Sequence, residues 1–340
     1  MQDHKRLEEE LRSAVRVFAQ SIVSARGAVA DMSPLIPATA HLPLSNLAYW
    51  ERLIRDEFSL ALRFFGGTAQ KVSWPEPNRF LTWIDLGSWD GYVRERTLRT
   101  LSGPAPNSFF LALAARRLND WVPQIRSAAR EKIPALARAS DPEHVSDVLC
   151  AMLPAWMSWG RMEDVDRQVV EMLLSVPQVS KLLRRRLIAA ASGSMAIVLS
   201  QSARTPVLDE HLAEIAREAV QPSVRAVAYR TLLARKATWV AGRQWRWTDV
   251  RYCKGRLHNI LAERPLPVPP PLLQTLESAS TDRSSIVRRV AAEALVREAT
   301  LLGDSALQLA RRLAADASPS IAQRGAFVLQ GLEVGAPPPL

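Results

Sequence analysis

The chain has 340 residues, of which 48% are hydrophobic, and it carries a formal net charge of +10. Its first ten residues are mostly charged, so we expect no secretory signal peptide, and no run of about 18 apolar residues is present to cross a membrane. The two cysteines lie far apart in the sequence, which favours reduced thiols in a cytoplasmic protein. Residues 171–270 hold 16 basic and 7 acidic residues, which accounts for nearly all of the net charge.

The first 80 residues are predicted to form a helical cap. Apolar side chains recur at helical spacing from Leu7 to Ile22 and again from Leu47 to Phe64. The second stripe contains Leu47, Trp50, Ile54, either Leu60 or Ala61, and Phe64. Gly66 and Gly67 end it, and a proline-broken connection separates the two stretches. We expect this cap to cover the exposed face of the first repeat.

Six later segments share one pattern. Each opens with Val or Ile and carries apolar or small residues four and eight positions later, which places them on one helix face. A small residue at the fourth position allows a neighbouring helix to approach closely. The opening residues are Val93, Ile125, Val179, Val224, Val287 and Ile321. A second amphipathic segment precedes each of these helices, most clearly at residues 109–118, 208–219, 272–278 and 305–314.

Arg and Asp recur around these openings, and we interpret both as structural. An Asp five positions before the opening residue can cap the helix. An Arg directly after the opening residue can reach back to a carboxylate or turn carbonyl of its own repeat. The acids are Asp120, Asp282 and Asp316, and the arginines are Arg94, Arg126, Arg225 and Arg288.

Paired helices repeated in this way predict an all-α chain, an α-solenoid of stacked antiparallel helix pairs. The stretches "DWVPQIR", "DRSSIVR" and "PSVRAVAYRTLL" resemble HEAT repeats over residues 81–335. The resemblance implies an armadillo-type fold and carries little information on function. The pattern is irregular in residues 141–222. We expect a disordered tail at 336–340.

An insertion at residues 235–271 matches no repeat position. Its first part is rich in basic and aromatic side chains, and a proline-rich stretch follows. We predict a binding surface consisting of Arg235, Lys236, Trp239, Arg243, Trp245, Arg246, Trp247, Arg251, Tyr252, Lys254 and Arg256. Arg and Lys neutralise phosphates and aromatic rings stack on bases, so the composition favours a nucleic-acid or other polyanion surface. A protein-docking surface and a purely structural insertion remain alternatives.

Motifs of catalysis are missing from the sequence. The five histidines form no metal-binding spacing, and no phosphate-binding or dinucleotide-binding glycine motif occurs. Asp209, Glu210 and His211 cluster at a predicted helix start, where acids usually interact with the helix dipole. We therefore predict no metal, no small-molecule cofactor and no catalytic residue.

Three functions are compatible with these patterns. The first is a non-catalytic scaffold that binds a protein partner through the solenoid surface. The second is a nucleic-acid-binding accessory protein that uses residues 235–256. The third is an enzyme, because "WRWTD" at Trp245–Asp249 resembles, in composition only, the basic groove of HEAT-like alkylpurine DNA glycosylases. No membrane partner is expected.

Overall fold

The computed structural model describes residues 2–25, 30–66 and 81–333. Within these ranges the chain is mostly helical, as predicted, and contains sixteen α-helices and one two-stranded sheet. The sheet corrects the all-α prediction, because residues 236–265 form a β-hairpin. Gly67, the predicted cap boundary at residue 80 and the predicted tail lie outside the described residues.

The chain divides into two compact units, residues 1–179 and 180–340. The helices that begin in the first unit are α1 Gln2–Ser24, α2 Leu35–Ala40, α3 Leu47–Gly66, α4 Gly91–Thr100, α5 Ser108–Arg116, α6 Pro123–Ala139, α7 Pro142–Met152, α8 Asp164–Leu174 and α9 Pro177–Ala189. The second unit continues with α10 Met195–Ser202, α11 Leu212–Glu218, α12 Pro222–Ala234, β1 Lys236–Asp249, β2 Lys254–Pro265, α13 Leu272–Ser280, α14 Ser285–Leu302, α15 Asp304–Ala314 and α16 Pro319–Glu333. Short 3-10 helices cover Leu44–Asn46, Trp83–Gly87, Arg117–Asn119, Trp156–Ser158 and Pro206–His211.

In the first unit, α1 and α3 pack against each other through the two predicted apolar stripes. Trp50 and Ile54 are buried, and of the two alternatives Ala61 rather than Leu60 is buried. Phe64 is 80% exposed, contrary to its predicted place on the stripe. The Glu51 carboxylate of α3 binds the Arg117 guanidinium at 2.7 Å. This ion pair connects α3 to the 3-10 helix Arg117–Asn119, which follows α5.

The predicted opening residues all lie in the core. All six are buried, and so are the residues four positions after them. In the first unit α4 packs against α6, and α6 against α8; in the second unit α12 packs against α14, and α14 against α16. At Gly325, four positions after Ile321, a Cβ atom would lie 2.3 Å from the backbone nitrogen of Ala314. A small residue at this position is therefore required for α15 and α16 to approach so closely.

The predicted arginines join successive predicted repeats. Arg94 binds the carboxylate of Asp120 at 2.9 Å and 3.0 Å, and it also donates to the Ser88 carbonyl six positions before it. The equivalent carboxylate pairs are Arg225 with Asp282 and Arg288 with Asp316. The equivalent carbonyl bonds run from Arg126 to Asp120, from Arg225 to Ala219 and from Arg288 to Asp282. The carbonyl thus lies in the same predicted repeat as the arginine, whereas the carboxylate lies in the next predicted repeat.

Candidate functional site

The β-hairpin of residues 236–265 contains most of the predicted binding surface. Its antiparallel strands pair from Lys236 with Pro265 to Asp249 with Lys254. Register shifts occur at Ala241 and Thr248, where β1 has an extra residue. Residues 250–253 form the tip. The Asp249 carboxylate accepts hydrogen bonds from the backbone nitrogens of Arg251 and Tyr252, which closes the turn.

The base of the hairpin is fixed to the helices of the second unit. Arg264 holds both carboxylate oxygens of Asp209 at 2.7 Å and donates to the carbonyls of Ala203 and Thr205. Arg204 donates to the Val240 carbonyl at 2.8 Å. These contacts hold the base of the hairpin against the helices of the second unit. Asp209, which was predicted to interact with a helix dipole, binds Arg264 of β2 instead.

Beyond Ala241 the hairpin has two different faces. Because side chains alternate along a strand and directly opposed residues share a face, the register assigns each side chain. The aromatic face contains Arg243, Trp245 and Trp247 from β1 and Gly255, Leu257 and Asn259 from β2. The guanidinium face contains Gly242, Gln244 and Arg246 from β1 and Arg256, His258 and Ile260 from β2.

On the aromatic face, Trp245 packs across the opposite strand. A Cβ atom at Gly255 would lie 2.6 Å from Nε1 and Cε2 of this indole, which is closer than real side chains approach. The ring of Trp247 contacts Trp245 edge to face, with centroids 5.6 Å apart. Trp245 and Trp247 are nevertheless 47% and 56% exposed. The face thus presents indole surface to solvent in a fixed position.

On the guanidinium face, Arg246 stands directly opposite Arg256. Like charges in opposed positions destabilise a sheet. In the described part of the chain, neither of these arginines pairs with a carboxylate, and the same is true of Arg243 and Arg251. The two acids of the hairpin are already engaged, Asp249 with the turn and Glu263 with Lys236 at 2.7 Å. The distal hairpin therefore carries an excess of uncompensated positive charge.

The structure divides the predicted site residues into two groups. Arg235 ends α12 in a left-handed conformation, Lys236 pairs with Glu263, and Trp239 lies half-buried near Arg204. These three belong to the base of the hairpin. The remaining residues come together in its exposed distal part: Arg243, Trp245, Arg246, Trp247, Arg251, Tyr252, Lys254 and Arg256.

Part of this surface was not predicted from the sequence. Leu257, Ile260 and Leu261 are exposed on β2 and extend the hairpin surface beyond residue 256. No buried face imposes an alternating pattern on this part of β2, so the sequence carries no strand signal for these residues. Arg264 was also missed, because its role depends on a carboxylate 55 positions away.

Other predicted chemical groups have structural contacts. Arg184 donates to Nδ1 of His211 at 3.1 Å, and Asp209 is held by Arg264. Across residues 2–25, 30–66 and 81–333, no group of three or more His, Cys, Asp or Glu side chains is placed to hold a metal ion. In the same ranges, no helix has the length and apolar character needed to span a membrane.

Comparisons of the chain with protein-family models, with curated proteins and with solved structures find no match.

Proposed function

We propose that the helix pairs of each unit are HEAT-like repeats stacked in the manner of an α-solenoid. The recurring Arg contacts support this proposal. Arg94, Arg225 and Arg288 each bind the Asp that precedes the following opening residue, and each also binds a carbonyl six positions before itself. Such equivalence is expected when one structural unit is repeated and each copy contacts its neighbour.

We propose that the chain is a non-catalytic nucleic-acid-binding protein and that the distal hairpin is its binding element. One observation carries the proposal: four exposed arginines, Arg243, Arg246, Arg251 and Arg256, lie on one ribbon without a carboxylate partner in the described part of the chain. A phosphate backbone supplies the missing anions, and the release of its counterions drives binding. Arginine also matches phosphate through two parallel hydrogen bonds.

The exposed aromatic rings favour nucleic acid over an acidic protein. Trp245 and Trp247 share a face with Arg243, Tyr252 follows Arg251 at the tip, and all three rings expose surface. Aromatic rings next to cationic side chains provide stacking for bases together with contacts for phosphates. The hairpin has no cluster of acids to bind a metal or to act in general acid–base catalysis, so a binding role fits it better than an enzymatic one.

The test compares two triple variants by fluorescence anisotropy with labelled oligonucleotides over a salt series. The first changes Arg243, Arg246 and Arg256 to Gln; the control changes Arg185, Arg230 and Arg297, which are also exposed, to Gln. Each lost phosphate contact lowers the slope of log affinity against log salt by about 0.7–0.9. We expect the hairpin variant to lose affinity and about two units of slope, whereas the control keeps both. Equal affinity and slope in the two variants would contradict the proposal.

A protein partner is a second candidate function, supported by a different surface. Trp89 and Trp121 each stand four positions before an opening residue in the first unit, and they are 70% and 69% exposed. The guanidinium of Arg55 lies 3.7 Å from the Trp89 ring centroid and holds that ring in place. Exposed tryptophans are typical anchors of protein interfaces.

The two functions separate in a nuclease-treated pull-down. A partner bound through the first unit remains after nuclease treatment, is lost when Trp89 and Trp121 are changed to Ser, and is retained by the hairpin triple variant. A partner that disappears with nuclease, or that the Trp89/Trp121 variant still captures, argues against this second function.

A further inference from the structure

We infer that the hairpin binds single-stranded nucleic acid and that Trp245 is the platform on which an unpaired base stacks. This inference rests on the proposed function and specifies its ligand. The inference follows from the arrangement of side chains on the aromatic face, because positive charge alone would bind any polyanion.

Gly255 allows Trp245 to occupy its position. Any side chain at residue 255 would overlap the indole, since a Cβ there falls 2.6 Å from two ring atoms. The opposite strand thus supports one side of the ring, and the edge contact with Trp247 restrains it further. About half of Trp245 remains exposed. An indole fixed in this way loses little conformational freedom when a base stacks on it.

A cation and an amide lie beside the platform. Arg243 precedes Trp245 by two positions on the same face, and Asn259 stands directly opposite Arg243. Both are exposed. A nucleotide whose base stacks on Trp245 therefore has a guanidinium within reach of its phosphate. The amide of Asn259 can both donate and accept hydrogen bonds at a base edge.

The exposed apolar surface distinguishes a single strand from a duplex. Base faces are accessible in single strands but lie inside the stack in a duplex, and stacking on aromatic side chains is the usual contact with unpaired bases. Trp247, Leu257 and Leu261 extend the exposed apolar surface along the hairpin. Against a duplex this surface would meet charged sugar–phosphate walls and would gain little from being covered.

The experiment measures binding of the full chain to three probes at one salt concentration. They are an oligothymidylate of about 20 nucleotides, a mixed-sequence duplex of the same length, and heparin, an anionic polymer without bases. Four proteins are compared: wild type, Trp245→Ala, Trp245→Phe and Gly255→Ala. The change Tyr92→Ala, at an exposed aromatic residue outside the hairpin, is the matched control.

We expect wild type to bind the oligothymidylate more tightly than the duplex. Trp245→Ala should weaken oligothymidylate binding by about 10-fold to 100-fold, with an unchanged salt slope and unchanged heparin affinity. Gly255→Ala should act in the same direction because it displaces the ring. Trp245→Phe should recover part of the affinity, and Tyr92→Ala should have no effect.

Several outcomes would overturn the inference. They are tight oligothymidylate binding by Trp245→Ala and an equal loss of duplex or heparin binding in that variant. Binding of both nucleic acids without dependence on Trp245 would remove this inference and leave the proposed function intact. No binding to any of the nucleic-acid probes would remove both.

Discussion

Arg225 is buried, with 1% of its surface exposed, and its guanidinium binds one carboxylate and two carbonyls. Its guanidinium holds Asp282 at 2.8 Å and 2.9 Å. A buried pair contributes little net stability compared with apolar residues, but removal of one partner leaves a buried charge uncompensated. The side chain therefore fixes the position of α12 relative to the turn before α14.

Arg225→Leu is expected to lower the free energy of unfolding by about 3–5 kcal/mol, since Asp282 loses its partner. Urea denaturation followed by circular dichroism measures the change. Arg230→Leu, at an exposed position of the same helix, is the control and should change stability by less than about 0.5 kcal/mol. Similar effects of the two substitutions would show that the Arg225 contacts do not stabilise the fold.

The partner acids have pKa values below their ordinary values. Burial alone would raise the pKa of Asp282, but the hydrogen bonds and charge of Arg225 outweigh it. For Asp316 the hydrogen bond from Arg288 is the main cause of the lowered pKa. A carboxylate of this kind stabilises the fold above its unfolded pKa of about 3.9, and the stabilisation is lost as pH falls through the lower, folded pKa.

Asp282→Asn is therefore expected to lose most stability near neutral pH. The difference in unfolding free energy between wild type and this variant should be constant down to about pH 5 and should shrink below about pH 4. Urea midpoints between pH 7 and pH 3 test this. A constant difference for Asp282→Asn would contradict the assignment.

Sequence patterns identified these residues but not their partners. The spacing around Val93, Val224 and Val287 marked the following Arg as structural, and that role agrees with their contacts. The predicted partner within the same repeat was correct for the carbonyl and wrong for the carboxylate. Asp120 lies 26 positions after Arg94, and Asp282 lies 57 positions after Arg225. Separations this unequal become visible only when the helices are packed.

The close approach of helices α15 and α16 depends on Gly325. An exposed helical Gly gains about 1 kcal/mol of stability on substitution by Ala. Here the new Cβ would fall 2.3 Å and 2.6 Å from backbone atoms of Ala314 and Leu313. We expect Gly325→Ala to destabilise by about 1–3 kcal/mol, measured by thermal unfolding. Gly160→Ala, where nothing lies within 4 Å, is the control. A stabilised Gly325→Ala variant would contradict this packing.

The β-hairpin was not predicted as strands for physical reasons. Strand prediction relies on strict alternation of apolar and polar residues, and the extra residue at Ala241 shifts that alternation within β1. The distal half is exposed on both faces, so no buried face imposes a pattern. The tip also lacks the Asn-Gly or Asp-Gly pair typical of tight hairpins, and Cys253 adopts a positive φ of 51° instead.

In the whole molecule, counting basic residues predicts which segment carries the excess positive charge, and the structure shows that this segment contains a β-hairpin with two different faces. The excess of basic residues in 171–270 was evident from counting, and the interleaved tryptophans marked the segment as unusual. The separation of an aromatic face from a guanidinium face depends on strand register, which composition does not contain. Charge and aromatic content thus predicted the region, and the fold selected the residues within it that can act together.

The hairpin and the helical body should also be separable. The anchors Arg264, Arg204 and Leu266 lie at the base, where Leu266 donates to the Arg235 carbonyl at 3.0 Å. A variant in which residues 244–258 are replaced by Asn-Gly joins the opposed Arg243 and Asn259 through a tight turn. It is expected to keep its helical circular dichroism and its melting temperature.

The affinity of this shortened chain for an oligothymidylate, measured beside wild type across a salt series, shows whether the distal hairpin is the nucleic-acid-binding element. We expect the folded, shortened chain to lose detectable binding and its salt dependence, while wild type binds with a slope that reflects several phosphate contacts. A shortened chain that binds as tightly as wild type, with the same slope, would contradict this expectation.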